Sequence, residues 1–157
     1  WLDSRGRENV GIIGGGSRRP LTADGLIAGE DKLRLFDGLD VYMHATEGMA
    51  DAARALCDAA GIALSDLQLV VPHQASGRIL RRLTAMLGLD EDRVYSCVRT
   101  IGNTSSSSAF IALDGALSDG RIQPGAAVLV LAAGAGYACA GALLRSGKRA
   151  RREAANQ

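Results

Sequence analysis

The chain has few of the residues that staple or anchor a protein. Its three cysteines, Cys57, Cys97 and Cys139, form an odd set with no C-x-x-C pair. That excludes a disulfide scaffold and a zinc site, and points to a reducing, cytoplasmic setting with no bound metal. Aromatic side chains make up only 4% of the chain, against 20 glycines. The interior must therefore be built from Ala, Val, Leu and Ile, with close backbone approaches. Charge shows no bias either: a formal net charge of +1 gives no electrostatic footprint for nucleic acid or a membrane surface. No apolar run approaches the ~20 residues a membrane-spanning helix needs. The polar first ten residues do not read as a signal peptide. A start at Trp1 without Met suggests a processed, truncated or fragmentary product.

What is present suits one domain. The 157 residues are 47% apolar and 22% charged, enough for a single hydrophobic core. Val10 to Ile13 reads as a strand running into Gly14-Gly15-Gly16, and residues 17–35 as a surface excursion. Apolar positions from Val41 to Ala60 recur at helical spacing, with Gly61 as the stop. Leu67 to Val71 is a compact strand closed by Pro72. A helix follows from Ser76 to Leu87, with Ile79, Leu80, Leu83 and Leu87 on one face and Gly88 at its end. Val94 to Val98 reads as a strand and Asn103 to Leu117 as a helix. The apolar runs Ala127–Ala132 and Tyr137–Leu144, split by Gly134-Ala135-Gly136, suggest a hairpin. The alternation implies an α/β layer architecture with a mixed sheet and a C-terminal hairpin. Residues 1–34 then form a strand and excursion, 35–146 the main domain, and 147–157 a basic, frayed tail.

Three loops carry candidate chemistry, each at the carboxyl end of an expected strand or the start of a helix. In Pro72-His73-Gln74-Ala75-Ser76 the histidine leaves a buried strand, so its imidazole is held by rigid elements. Alone it could equally be a capping or core histidine. In Gly102-Asn103-Thr104-Ser105-Ser106-Ser107-Ser108 the asparagine could simply cap a helix. The serines could bond back to carbonyls one turn earlier. In Gly134-Ala135-Gly136-Tyr137 a tight turn could expose backbone N–H groups as an oxyanion hole, or merely reverse the chain.

In this order and spacing the three boxes resemble one family. PHQAS is similar to the PHQAN box of the ketoacyl-acyl-carrier-protein synthase III family, GNTSSSS to its GNTSAAS box, and GAGYACAGALLR to its closing glycine-rich hairpin. Asp37-Gly38 with Val41-Tyr42 resembles the stretch along that family's pantetheine channel. Thirty positions separate His73 from Asn103, and thirty-two separate Asn103 from Ala135, as in the family. The resemblance covers residues 35–146.

It implies half of a thiolase-like, layered α-β-α-β-α sandwich that condenses an acyl-CoA starter with malonyl-acyl carrier protein. Those are substrates, and no cofactor is implied. By resemblance His73 and Asn103 hold the malonyl thioester carbonyl, and the Ala135 N–H serves the oxyanion hole. Arg78, Gly38, Tyr42 and Ser76 are implied in carrier-protein or coenzyme A contact. Ala135 stands where the family has glycine, and Ser76 where it has asparagine. The family's nucleophilic cysteine lies in an N-terminal half, and none of the three cysteines here is placed to replace it. The implied partners are therefore that N-terminal half, an acyl carrier protein and, for the whole enzyme, a second copy. Two other functions fit the same residues: a thiolase-fold acyltransferase without decarboxylation, and a non-catalytic carrier-protein-binding subunit.

Overall fold

The computed structural model describes residues 2–147. The tail expected over 147–157 lies outside them, apart from Gly147. On the N-terminal side, β1 (Val10–Ile12) pairs antiparallel with β2 (Leu33–Leu35), with Val10 opposite Leu35. The excursion between them holds one short helix, α1 (Ala23–Ile27), capped by the Thr22 hydroxyl. The surface excursion expected over 17–35 thus contains a short helix and a strand that the sequence reading did not place. Both strands are three residues long and β2 is fully exposed, so neither shows the buried alternation that sequence patterns detect.

The long helix α2 (Gly38–Ala60) starts three residues before the expected Val41. Asp37 sets the start by accepting the Asp40 N–H at 2.9 Å, and Gly61 ends it with φ at +65°. β3 (Leu69–Pro72) is buried throughout and leads through the PHQAS loop into α3 (Gly77–Leu87). The Ser76 hydroxyl caps α3, and Gly88 in the left-handed region closes it. The rest of the chain supplies a helical turn, α4 (Val98–Ile101), the helix α5 (Ser108–Ser118), and the strands β4 (Ala127–Gly134) and β5 (Ala138–Arg145).

The central sheet runs β3-β4-β5. The first pair is parallel, with Leu69 against Val128 through Pro72 against Leu131. The second is the expected antiparallel hairpin, from Ala127 against Arg145 to Gly134 against Ala138. A mixed α/β sheet with a C-terminal hairpin is therefore what the chain forms. Alternation along β3 and β4 divides the core in two. Val70, Leu129 and Leu131 pack under α2 and α3 with Met49, Ala53 and Leu83. Leu69, Val71 and Val128 face Ala112 and Ala116 of α5. A fully buried leucine such as Leu83 or Leu129 contributes about 1.5–3 kcal/mol relative to an exposed one.

Two expected elements are corrected between β3 and β4. Val94 to Val98 is not a strand: only Val94 bridges to the sheet, opposite Val70. Beyond it the Cys97 and Val98 N–H groups donate to the Gln74 side chain at 2.9 and 3.1 Å instead of to a neighbouring strand. The helix expected from Asn103 begins at Ser108, after a 3-10 turn over Ser105–Ser107. Gly102 at φ +82° and Ser105 at φ +54° break helical backbone there.

Candidate active site

β3 and β4 run parallel, and their carboxyl ends open on one cleft of about 1390 Å³. Such strand ends are where open α/β sheets collect ligands. All seven residues singled out in the sequence (Gly38, Tyr42, His73, Ser76, Arg78, Asn103 and Ala135) line this cleft. They come from four separate segments, so it is the fold that brings them together.

His73 is set by its backbone and its ring. Its N–H donates to Leu131 O at 2.7 Å, carrying the β3–β4 ladder one residue beyond the strand. Its Nδ1 lies against the Ser108 hydroxyl at the first residue of α5. Burial pushes the imidazole below its ordinary 6.5, with no charged neighbour contributing to the shift. Burial therefore favours the neutral ring.

Asn103 does not cap a helix. Its Oδ1 accepts the Ser105 N–H at 2.9 Å in a local side-chain turn, and the residue is exposed. With the oxygen so engaged, the Nδ2 amide is the end left to act as a donor. Ala135 lies in the turn between β4 and β5, and its N–H donates to no group among the described residues. Tyr137, 2% exposed, anchors that turn. Its hydroxyl donates to Asp40 Oδ2 at 2.6 Å, Asn9 Nδ2 donates to the same oxygen, and His44 stacks on the ring at 4.8 Å.

The outer residues sort differently. Arg78 stands 5.9 Å from the Tyr42 ring centroid and has no acidic partner among the described residues. Arg82 approaches the same ring at 5.5 Å, but its Nε donates to Thr46 Oγ1 at 3.0 Å. Arg82 thus fastens α3 to α2, while Arg78 keeps a cation at the cleft. Ser76 lines the cleft, yet its hydroxyl already accepts the Ile79 N–H at 3.3 Å.

Two residues that the sequence reading passed over hold the site together. Gln74 is fully buried and uses its whole amide. Nε2 donates to Pro72 O at 2.8 Å and Tyr95 O at 3.2 Å, while Oε1 accepts from the Cys97 and Val98 N–H groups. It ties the loop bearing His73 to the segment leading to Asn103. The Gln74 N–H donates to the Ser108 hydroxyl at 3.1 Å, the same oxygen that meets His73. The only sequence signal for Gln74 was a polar residue held inside PHQAS, directly after a buried strand. Ser108 had none beyond its place in a serine run.

No cysteine of the chain is an activated nucleophile. Burial raises the thiols of Cys57 and Cys97, and pushes Cys139 up to about 11. Reactive thiolates need the opposite shift. Among the described residues no group of three or more His, Cys, Asp or Glu could hold a metal ion, and no helix is long and apolar enough to cross a membrane. One wall of the cleft is bare hydrocarbon: Leu33, Leu35 and Leu39 line it at 71%, 61% and 69% exposure.

Comparison with known proteins bears on the same residues. Residues 57–146 match the family described as 3-oxoacyl-[acyl-carrier-protein] synthase III C terminal. The chain is 37% identical over 147 residues to the 3-oxopimeloyl-[acyl-carrier-protein] synthase of Rhodothermus marinus, covering 92% of this chain and 42% of that protein. It is 38% identical over 133 residues to the beta-ketoacyl-[acyl-carrier-protein] synthase III of Nitratidesulfovibrio vulgaris, covering 85% and 40%. The solved synthase III of Thermus thermophilus superposes with a TM-score of 0.80 at 32% identity, covering 95% of this chain and 45% of that one. The chain thus spans less than half the length of each relative, and has the thiolase-like fold of their C-terminal parts. By the matched region, which takes in all three boxes, this chain belongs to the 3-oxoacyl-[acyl-carrier-protein] synthase III C-terminal family.

Proposed function

We propose that the chain is the C-terminal part of a β-ketoacyl-acyl-carrier-protein synthase III, joining an acyl-CoA starter to malonyl-acyl carrier protein with loss of CO₂. The observation that carries this reading is a pair of constrained side chains at one cleft. His73 has its Nδ1 occupied by Ser108, and Asn103 has its Oδ1 occupied by Ser105 N–H. Asn103 is left with its Nδ2 donors, and His73 with its Nε2, for an incoming oxygen.

The chemistry follows from that pair. The malonyl carboxylate leaves as CO₂, and the electrons of the broken C–C bond move into an enolate whose oxygen needs donors, not a base. Neutral N–H groups fixed in advance supply this without surrendering a proton. The enolate carbon then attacks an acyl thioester on a cysteine. The resulting oxyanion is met by the Ala135 N–H and collapses with expulsion of the thiolate. Every step is redox-neutral and none calls for a further cofactor. The Ala135 methyl keeps the N–H and narrows the acyl end relative to glycine.

The thiol must come from elsewhere, since all three local thiols are raised by burial. In this reading the N-terminal half of the same enzyme supplies it and covers the apolar wall of Leu33, Leu35 and Leu39. Arg78 meets the acidic carrier protein, where a rim charge speeds encounter. Gly38, Tyr42 and Ser76 flank the pantetheine arm. The working form is a cytoplasmic homodimer of the full enzyme.

The test is to mix this chain with the cysteine-bearing half, an acyl-CoA and malonyl-acyl carrier protein. A 3-oxoacyl product with CO₂ release is expected only when both halves are present. Acyl transfer to another acceptor without CO₂ would instead make the protein a transferase, and no reaction with either half would leave a binding subunit. Both outcomes contradict the proposal.

A further inference from the structure

The Ser108 hydroxyl is a shared point that the site description leaves unassigned. It is 1% exposed and meets two groups, the Gln74 N–H at 3.1 Å and His73 Nδ1. A hydroxyl oxygen has two lone pairs and one proton. The Gln74 N–H, a fixed donor, takes one lone pair. If Nδ1 also carried a proton, it would take the second, and the hydroxyl proton would need an acceptor of its own. Among the described residues no carbonyl or carboxylate accepts it. The arrangement that leaves nothing buried and unpaired has the Ser108 O–H donating to Nδ1.

We propose that Ser108 is a positioning residue that fixes His73 in the Nε2–H tautomer, so that the ring presents a proton, not a lone pair, to the cleft. Gln74 is part of the same device, because its N–H fills the serine lone pair that would otherwise accept from Nδ1–H. The location of Ser108 adds to this. It begins the eleven-residue helix α5, whose positive end disfavours an imidazolium beside it. Burial acts in the same direction, and no charged side chain offsets it. A ring in the other tautomer would turn a lone pair towards the substrate oxygen and repel it. That use of the proton rests on the synthase reading; where the proton sits does not.

The chain has only two histidines, His44 and His73, so nitrogen-15 histidine labelling reads the tautomer directly, with His73→Gln assigning the signals. At about pH 7.5, long-range proton–nitrogen correlations are expected to show His73 protonated at Nε2 alone. Ser108→Ala should yield a mixture of tautomers, and Ser108→Thr, which keeps the hydroxyl, should restore the pure Nε2–H form. In the assembled enzyme Ser108→Ala should lower kcat for CO₂ release by about 10- to 100-fold, with KM for the malonyl thioester changed less than about threefold. Wild-type His73 protonated at Nδ1, or doubly protonated, overturns the proposal, and so does a pure Nε2–H spectrum in Ser108→Ala. If the alanine variant does not fold, the wild-type spectrum decides alone. A wild-type enzyme that releases no CO₂ would instead contradict the synthase reading and leave the tautomer result standing.

Discussion

Asn103→Ala is expected to lower CO₂ release from malonyl-acyl carrier protein by about 10² to 10³, and His73→Ala by a similar factor. The size follows from what each side chain does. In the proposed assembly, where the other half closes the cleft, an enolate oxygen has little solvent to disperse its charge, so each fixed N–H counts for more than it would in water. The two losses should not add. Once one donor is gone, the oxygen shifts or takes a water, and the second donor no longer acts on the same geometry. KM for the carrier-bound substrate should move little, because the thioester carbonyl of the ground state needs these donors far less than the enolate does. Steady-state CO₂ measurement on the assembled enzyme checks this. A fall confined to KM would reassign both residues to binding.

Gln74→Leu should be the most damaging single change for stability. It strands the Pro72 and Tyr95 carbonyls and the Cys97 and Val98 N–H groups, which the amide now satisfies. Each buried group left without a partner costs about 1–3 kcal/mol. Some will find water, so a net loss of about 3–5 kcal/mol is expected, a large share of a typical domain's stability. Gln74→Glu keeps the acceptor oxygens and loses the two donors, so its loss should be intermediate. Urea unfolding of the three proteins, alone and with the partner half, gives the comparison. A loss below about 1 kcal/mol in Gln74→Leu would show that the brace is dispensable.

How far the sequence could be read follows from what held each segment. α2, α3, β3 and the β4–β5 hairpin owe their form to local pattern: apolar spacing, capping by Asp37 and Ser76, glycine stops at Gly61 and Gly88. Those signals lie within the segments themselves. The stretch from Val94 to Ser108 obeys a distant side chain. Its Cys97 and Val98 N–H groups go to the side chain of Gln74, more than twenty residues earlier, so the strand expected over Val94 to Val98 does not form. β2 was missed because its three residues are all exposed and show no buried alternation.

The site shows the same division. His73, Asn103 and Ala135 were singled out by the order and spacing of three boxes that each alone read as structure, and all three line one cleft. Ser108 and Gln74 were not, because their meaning is a hydrogen-bond partner on another element. The helix cap that was the alternative reading of Asn103 does not form, for a physical reason. The same oxygen that would cap a helix closes a local turn onto Ser105.

The central claim is that this chain carries the decarboxylating half of a condensing site, separable from the nucleophile. CO₂ release in the assembled enzyme with the partner half's nucleophilic cysteine replaced by alanine tests it most directly. The account predicts that CO₂ is still released while condensation stops, and that adding Asn103→Ala then abolishes the release. Release that disappears with the cysteine alone, or survives the loss of Asn103, would contradict it.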